Sequence, residues 1–231
     1  MQLSPRLKLI ADLVKEGSVV ADIGTDHGYI PVYCVKNGIS PSAIAMDVNP
    51  MPLAKAEENI ALYGLEDSIT TRLSNGLEAL KKDEADTVVI AGMGGLLMIN
   101  ILSEGICAIS EKTHLILQPM IAQRELRGYL YENGFVIDGE YVCREENKFY
   151  NIICARMGSG AQVSDKDIFV GRDIDKNTPD VYIEYLDYKI GVCTKIINGM
   201  KKSKSVNTQE LSFAEKELDI FVKERKCFCE S

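Results

Sequence analysis

The chain has 231 residues, of which 46% are hydrophobic and 26% charged, and its formal net charge at pH 7 is −8. This composition is typical of a globular protein with a sizeable core, and no run of about 18 apolar residues could span a bilayer. The negative charge argues against non-specific polyanion binding, which needs clustered Lys and Arg. Because the amino terminus lacks the apolar segment of a signal peptide, we expect a cytoplasmic protein without membrane association.

Five apolar runs predict β-strands, and they lie at residues 18–24, 42–48, 68–74, 87–93 and 113–119. Segments with apolar residues three and four positions apart predict helices, first within residues 1–17 and then at 30–38, 51–64, 76–82, 95–109 and 122–134. Such alternation predicts a parallel sheet with helices on both faces.

The remainder of the chain departs from this alternation. Residues 134–157 hold two β-rich runs joined by a polar turn, which predicts an antiparallel hairpin closing the sheet. That ending favours a methyltransferase sheet over a dinucleotide-binding one. Two long amphipathic segments, about 180–204 and 207–226, then predict a helical hairpin. We therefore predict a Rossmann-like class I methyltransferase α/β domain at residues 1–158 and a coiled-coil-like helical domain at residues 159–231.

The cysteines give no indication of a metal site. They stand at positions 34, 107, 143, 154, 193, 227 and 229. The last two form a C-x-C pair, and the sequence has no second pair that could complete a zinc site. We predict reduced thiols and no bound metal.

The sequence "VADIGTDHG" places Asp26 and His27 between two glycines immediately after the first predicted strand. Ligands of open parallel sheets bind beyond the carboxyl ends of the strands. Gly24 would let the backbone approach a ligand, and Gly28 would let the next helix begin close to the strand. A dinucleotide fingerprint has a glycine where this chain has Asp26, and a carboxylate there would repel pyrophosphate but attract a sulfonium. We predict S-adenosyl-L-methionine as the ligand, which makes a dehydrogenase the weaker alternative.

Polar residues and glycines also follow the second, third and fourth predicted strands. Asp47, 25 positions after Asp22, is placed to accept hydrogen bonds from ribose hydroxyls. This position fits S-adenosylmethionine and a dinucleotide equally well. Asn75 could contact the adenine edge, and the glycines of "IAGMGG" leave bare backbone where a methyl acceptor would lie. The predicted cofactor-binding residues are Asp22, Gly24, His27, Gly28, Asp47, Val48, Asn75, Gly76, Ala91 and Gly92.

Three residues, of which only His27 belongs to the predicted cofactor site, also have ordinary structural explanations. His27 and His114, taken singly, are more typical of hydrogen-bonded structural histidines than of catalytic ones. Arg6, within "SPRLKL", fits a solvated helix face and the mouth of the site equally well.

Taken together, "LSPRLKLIADLV", "VADIGTDHGYIPVY", "AMDVN", "NGLEAL", "IAGMGG", "LILQPM", "LRGYLYENGF" and "KFYNII" resemble the bacterial TrmK family, tRNA methyltransferases that modify N1 of adenine 22. The resemblance is close over about residues 2–157. It implies a Rossmann-like S-adenosylmethionine domain, a helical hairpin that helps to hold tRNA, and cofactor contacts at Asp22, Gly24, Asp47, Asn75 and Gly76.

Methylation of adenine N1 requires no general base, because N1 already presents an in-plane lone pair. The rate enhancement should therefore come from positioning the flipped-out base and from electrostatic stabilisation of the transition state. We predict that Asp26 stabilises the charge developing on the ring or accepts a hydrogen bond from the adenine amino group, and that Tyr29 provides a stacking surface. These two are the predicted catalytic residues. The predicted substrate-binding residues are Arg6, Met93, Gly94, Gly95, Lys201, Lys202 and Lys204.

Further candidates for phosphate contact are Arg124, Arg127, Arg144 and Lys148. The cluster of Lys201, Lys202 and Lys204 fits a solvated turn equally well. The sequence thus predicts a monomeric S-adenosylmethionine-dependent tRNA adenine-N1 methyltransferase. Two alternatives remain open at this point: a small-molecule O- or N-methyltransferase, and a non-catalytic protein that binds an adenosine cofactor or RNA.

Overall fold

The computed structural model of the protein describes residues 1–160, 162–202 and 207–230. The chain divides into two compact units, Met1–Ala161 and Gln162–Ser231. The strands of the first unit are β1 (Val20–Ile23), β2 (Ala43–Asp47), β3 (Ile69–Leu73), β4 (Thr87–Met93), β5 (His114–Pro119), β6 (Phe135–Glu145) and β7 (Lys148–Met157). Its α-helices are α1 (Pro5–Asp12), α2 (Tyr29–Lys36), α3 (Pro50–Leu62), α4 (Gly95–Glu104) and α5 (Gln123–Glu132).

The seven strands form one sheet in the order β3-β2-β1-β4-β5-β7-β6. Strand β1 pairs in parallel with both β2 and β4, so that Val20 lies opposite Ala43 on one side and Thr87 on the other. Strand β7 runs antiparallel between β5 and β6. A dinucleotide-binding sheet has the order 3-2-1-4-5-6, so the inserted antiparallel strand is the difference. The predicted α/β sheet with its closing antiparallel hairpin is confirmed.

Both faces of the sheet are covered, as the apolar runs in the strands require. In β4, Val88 and Ile90 pack into a core that includes residues of α4 and α5. The intervening Val89 packs on the opposite face with residues of α1, α2 and α3. Fully burying a side chain of this kind contributes about 1.5–3 kcal/mol, so these two layers hold the strand ends in place.

Helix α1 is anchored at its first turn. The Ser4 hydroxyl accepts a hydrogen bond from the Leu7 N–H, and Pro5 occupies the first helical position, where it has no N–H to lose. The Arg6 N–H donates to Oε2 of Glu145, at the end of β6, over 3.1 Å. These contacts fix Arg6 beside the carboxyl end of the sheet.

One predicted helix is wrong. Residues 76–82 form turns between β3 and β4. The Ser74 hydroxyl donates to the Gly76 carbonyl oxygen over 2.9 Å and accepts from the Ala79 N–H over 3.1 Å, which closes a turn instead of a helix. Gly76 has φ +56°. Local side-chain bonds and a left-handed glycine thus override a short apolar period.

The second unit contains α6 (Asp165–Phe169), α7 (Ile174–Asn177), α8 (Pro179–Lys202) and α9 (Thr208–Glu230). The last two are the predicted long helices, and they pack antiparallel. Tyr182 donates to Oε1 of Glu224 over 2.9 Å, and Lys201 lies 2.7 Å from Glu215. The short helices α6 and α7 were not predicted, although Ser164 and Asp167 form a capping box that starts α6.

Within the described parts of the chain, every helix falls short of the length and apolarity needed to cross a membrane.

Candidate active site

A cavity of about 480 Å³ opens at the carboxyl ends of β1 and β4. This is the edge where an open parallel sheet binds ligands. The cavity is lined by Arg6, Leu7, Asp22, Gly24, Asp26, His27, Tyr29, Ile30, Ala91, Gly92, Met93 and Met120. The structure therefore brings together both predicted catalytic residues and much of the predicted cofactor site.

The bend after β1 depends on two glycines. Gly24 has φ +76°, and a Cβ atom built on it would lie 2.0 Å from Cε of Met93. Gly28 has φ +65° at the start of α2, where a Cβ would lie 3.2 Å from Cβ of Ala56 in α3. Gly28 thus lets α2 begin close to α3. The first glycine leaves room at the cavity wall for the Met93 side chain.

Asp22 is the buried acidic residue of the cavity and is only 6% exposed. Burial raises the pKa of the Asp22 carboxyl to about 6, and the charge of Asp47 adds to this increase. A cationic ligand group near this carboxylate would oppose both effects. The position is therefore prepared for a positive charge.

The second acid of the bend is exposed. The side chain of Asp26 is 74% exposed, and its Oδ2 atom lies 3.6 Å from Nε2 of His27. The His27 ring stacks on the ring of Tyr29, with centroids 5.1 Å apart and planes at 18°. The His27 carbonyl oxygen accepts a hydrogen bond from Nδ2 of Asn59. Because Tyr29 is 41% exposed, an aromatic surface remains available beside a carboxylate.

Gln118 is a site residue that the sequence reasoning missed. It is fully buried in β5, and its Oε1 atom accepts hydrogen bonds from Nη1 of Arg6 over 2.9 Å and from the Gly92 N–H over 3.1 Å. The Arg6 guanidinium also lies over the ring of Tyr150, 5.1 Å from its centroid. A polar residue directly after the apolar residues 115–117 was the available signal. Arg6 thus lies at the site and is not merely on a solvated helix face.

The glycines after β4 have different surroundings. Gly92 lines the cavity with φ +77°. Gly95 is buried, and a Cβ there would lie 2.4 Å from the Ala122 carbonyl oxygen, so packing explains its lack of a side chain. A Cβ on Gly94 would make an ordinary contact, 3.6 Å from Cγ1 of Ile121. Of the predicted acceptor-binding residues in this loop, Met93 lines the cavity and these two do not.

The remaining cofactor candidates lie at the ends of β2 and β3. A second cavity of about 420 Å³ is lined by Val48, Leu73, Ser74, Asn75, Glu78 and Ala79. Asn75 donates from Nδ2 to Oε1 of Glu78 over 2.9 Å. Oδ1 of Asp47 accepts from the Asn49 N–H over 2.8 Å. Asp47 and Gly76 line neither cavity, and Gly76 packs on Ile101.

The residues predicted to contact phosphates differ in their surroundings. The prediction for Arg127 was wrong, because its side chain is buried and forms an ion pair with Glu140 over 2.8 Å. Arg124 pairs with Glu125. Lys201, which pairs with Glu215, and Lys202 are exposed at the end of α8, and Lys204 lies outside the described residues. The exposed Arg144 and Lys148 lie beside the β6–β7 turn.

Among the residues that the structure describes, no group of three or more His, Cys, Asp or Glu is placed to hold a metal ion.

The sheet order and the acidic cavity define a protein of the Rossmann-like methyltransferase class, and residues 3–153 match the family described as a methyltransferase domain. The tRNA (adenine(22)-N(1))-methyltransferase of Bacillus subtilis is 39% identical over 158 residues, or 68% of this chain. That alignment spans 66% of the relative, just under two thirds of its length.

Two solved structures cover nearly the whole chain. That of the Bacillus subtilis m1A22 tRNA methyltransferase TrmK has a TM-score of 0.84 and 31% identity, covering 97% of this chain and 98% of that one. That of Streptococcus pneumoniae Sp1610 in complex with S-adenosyl-L-methionine has a TM-score of 0.83 and 31% identity, covering 97% and 99%. The chain belongs to the TrmK family, as its sequence motifs predicted.

Proposed function

We propose that this protein transfers a methyl group from S-adenosyl-L-methionine to N1 of adenine 22 in tRNA. The observation that carries the proposal is the cavity after β1, where a buried Asp22 and an exposed Asp26 flank a glycine bend. Two carboxylates beside bare backbone suit a cationic sulfonium and disfavour a pyrophosphate. Family membership supports the choice of acceptor.

The cofactor would extend along the carboxyl ends of the strands. We assign its amino-acid end to the bend containing Asp22 and Gly24. Asp47, at the end of β2, would accept hydrogen bonds from the ribose hydroxyls. Val48 and Asn75, which line the second cavity, would contact the adenine ring. His27, Gly28, Ala91 and Gly92 complete the proposed cofactor site, with Gly76 shaping the turn beside it.

In the reaction, the N1 lone pair of adenine attacks the sulfonium methyl carbon. The new N–C bond forms as the C–S bond breaks, and the sulfur takes the bonding electrons to give S-adenosylhomocysteine. Positive charge passes to the adenine ring, where the Asp26 carboxylate would stabilise it while the Tyr29 ring stacks on the base. Their placement at the cavity supports these roles.

The tRNA would also contact the second unit. Lys201 and Lys202 are exposed where α8 ends, and lysines at such a position can bind phosphates of a structured RNA. Replacing both with alanine should raise the KM for tRNA and reduce the dependence of binding on salt. Unchanged KM and salt dependence would remove this role. The monomeric state and the cytoplasmic location remain predictions.

The decisive experiment incubates the protein with unmodified tRNA and methyl-labelled cofactor, followed by mapping of the modified nucleotide. We expect one equivalent of label at N1 of adenine 22, and no label in tRNA with guanine at that position. Labelling of small metabolites in place of tRNA would favour a small-molecule methyltransferase. Cofactor binding without any turnover would favour a non-catalytic protein.

A further inference from the structure

Arg6 provides a positive charge that no described carboxylate neutralises. Its guanidinium bonds to the Gln118 amide oxygen, contacts Sδ of Met120 from Nη1 over 3.7 Å, and lies over Tyr150. All three partners are uncharged. The Glu145 carboxylate, by contrast, accepts from the backbone N–H of Arg6. Among the described residues, Nη2 of Arg6 has no hydrogen-bond partner, so the guanidinium keeps donor capacity for a ligand.

Arg6 is also the one Arg or Lys among the described residues that line the cavity. Under the proposed function, the two acids of the cavity, Asp22 and Asp26, interact with a cationic group. An anionic group would instead interact with Arg6. Two anionic groups would reach this cavity under the proposed function. One is the carboxylate of the cofactor's amino-acid end, and the other is a phosphate of the target nucleotide.

Gln118 determines how Arg6 faces the cavity. Its Oε1 atom fixes both Nη1 of Arg6 and the Gly92 N–H, which come from α1 and from the end of β4. Its Nε2 atom contacts Sδ of Met120 at 3.6 Å. Three groups of the cavity wall, from three segments of the chain, are therefore held by one buried side chain.

We propose that Gln118 is a positioning residue that orients the Arg6 guanidinium toward an anionic ligand group while leaving its charge free. An amide accepts hydrogen bonds without neutralising the guanidinium, whereas a carboxylate of the same shape would pair with it. This inference rests on the proposed function, because both candidate groups belong to its substrates.

The test compares Gln118→Glu, Arg6→Gln and the double variant Arg6→Gln/Gln118→Asn with wild-type protein; the double variant keeps an amide at position 118, so no buried carboxylate is left without a cation. Calorimetry measures the Kd for S-adenosylhomocysteine and for 5′-deoxy-5′-methylthioadenosine, which lacks the amino-acid end. Steady-state assays measure the KM for tRNA. Gln123→Glu is the matched control, because it makes the same chemical change at a residue outside the cavity.

If Arg6 binds the cofactor carboxylate, both single variants should raise the Kd for S-adenosylhomocysteine about tenfold or more and leave that for methylthioadenosine unchanged. If it binds a phosphate, the KM for tRNA should rise by a similar factor with both Kd values unchanged. In either case the double variant should be no worse than Arg6→Gln, because the two residues act as a unit. Additive losses would indicate a merely structural role and overturn the inference.

Wild-type Kd and KM values in folded Gln118→Glu would also overturn it. If that variant does not fold, Gln118→Asn replaces it, since the amide is kept but moved by one methylene, and the same constant should rise. Arg6→Lys should recover part of the loss because it restores the charge without the planar guanidinium. Wild-type protein that bound no cofactor and methylated no tRNA would overturn the proposed function itself, whereas unchanged variants of an active wild type would overturn only this inference.

Discussion

Buried carboxylates lie in two regions of the α/β unit, and their surroundings differ. Between α5 and β6, Arg127 and Glu140 are paired, with Nε and Nη2 donating to the carboxylate over 2.8–3.0 Å. At the cavity, Asp22 is buried with another acid nearby, and Arg6 has uncharged partners. The first region compensates its charges internally, while the second leaves them for a ligand. Charge compensation thus separates a structural position from a binding position.

The largest expected effect comes from breaking the compensated pair. Arg127→Met leaves the Glu140 carboxylate buried without its cation, which should lower the free energy of unfolding by about 3–5 kcal/mol. The double variant Arg127→Met and Glu140→Leu should recover most of this loss, because neither charge then remains. Urea denaturation measures both. A loss below about 1 kcal/mol in the single variant would contradict the structural role.

Asp22→Asn should have the opposite effect on stability. The pKa of Asp22 is raised in the folded state to about 6, so folding favours the protonated carboxyl, and stability falls as pH rises from about 4 to about 6. The uncharged Asn should remove this dependence and raise the free energy of unfolding at pH 7 by up to about 3 kcal/mol. Cofactor affinity should fall at least about tenfold.

Urea denaturation at several pH values, with calorimetry of cofactor binding, checks both parts. An Asn variant that loses stability at pH 7, or binds the cofactor as tightly as wild type, would show that the Asp22 charge is not kept for a ligand.

Gly24→Ala should cost about 1–2 kcal/mol of stability because φ is +76°, and it should also displace the tip of Met93 and weaken cofactor binding. Gly38→Ala is the matched control. Gly38 has φ +72° and open space around it, so it should lose similar stability with normal binding. Equal binding by the two variants in calorimetry would mean that the Gly24 position does not affect the cofactor site.

The smallest effect on stability belongs to Asp26→Asn. Because this side chain is 74% exposed, its replacement should change the free energy of unfolding by less than about 0.5 kcal/mol. We expect kcat for tRNA methylation to fall about tenfold or more, since the charge that develops on adenine loses its carboxylate. Asp67→Asn, at another exposed acid, serves as the control. Full turnover in Asp26→Asn would refute the assigned role.

Much of the fold followed from the sequence because apolar periodicity reports burial directly. The five parallel strands, the closing hairpin and the two long helices were predicted within a few residues of their observed bounds. Residues 76–82 were not, since the Ser74 side chain and a left-handed Gly76 determine that turn. The helices α6 and α7 have 5 and 4 residues, too few for a clear helical period.

The site was predictable where it lies within one local motif. Asp22, Gly24, Asp26 and Tyr29 fall in a single bend, and the structure places all of them at the cavity. Contacts between distant segments were not predictable. The sequence alone gave no reason to join Arg6 to Gln118, and it suggested a phosphate contact for Arg127, whose partner Glu140 lies on a different element.

The contact between Arg6 and Glu145 joins residues 139 positions apart. Domains generally fold as units, and a contact between residues this distant requires both segments of the chain. We therefore expect the wall of the cavity to form only after the closing hairpin has left the ribosome. A stalled nascent chain that ends before residue 145 has the glycine bend but lacks the anchor for the first turn of α1. We accordingly expect tight cofactor binding only from a chain that contains the complete α/β unit.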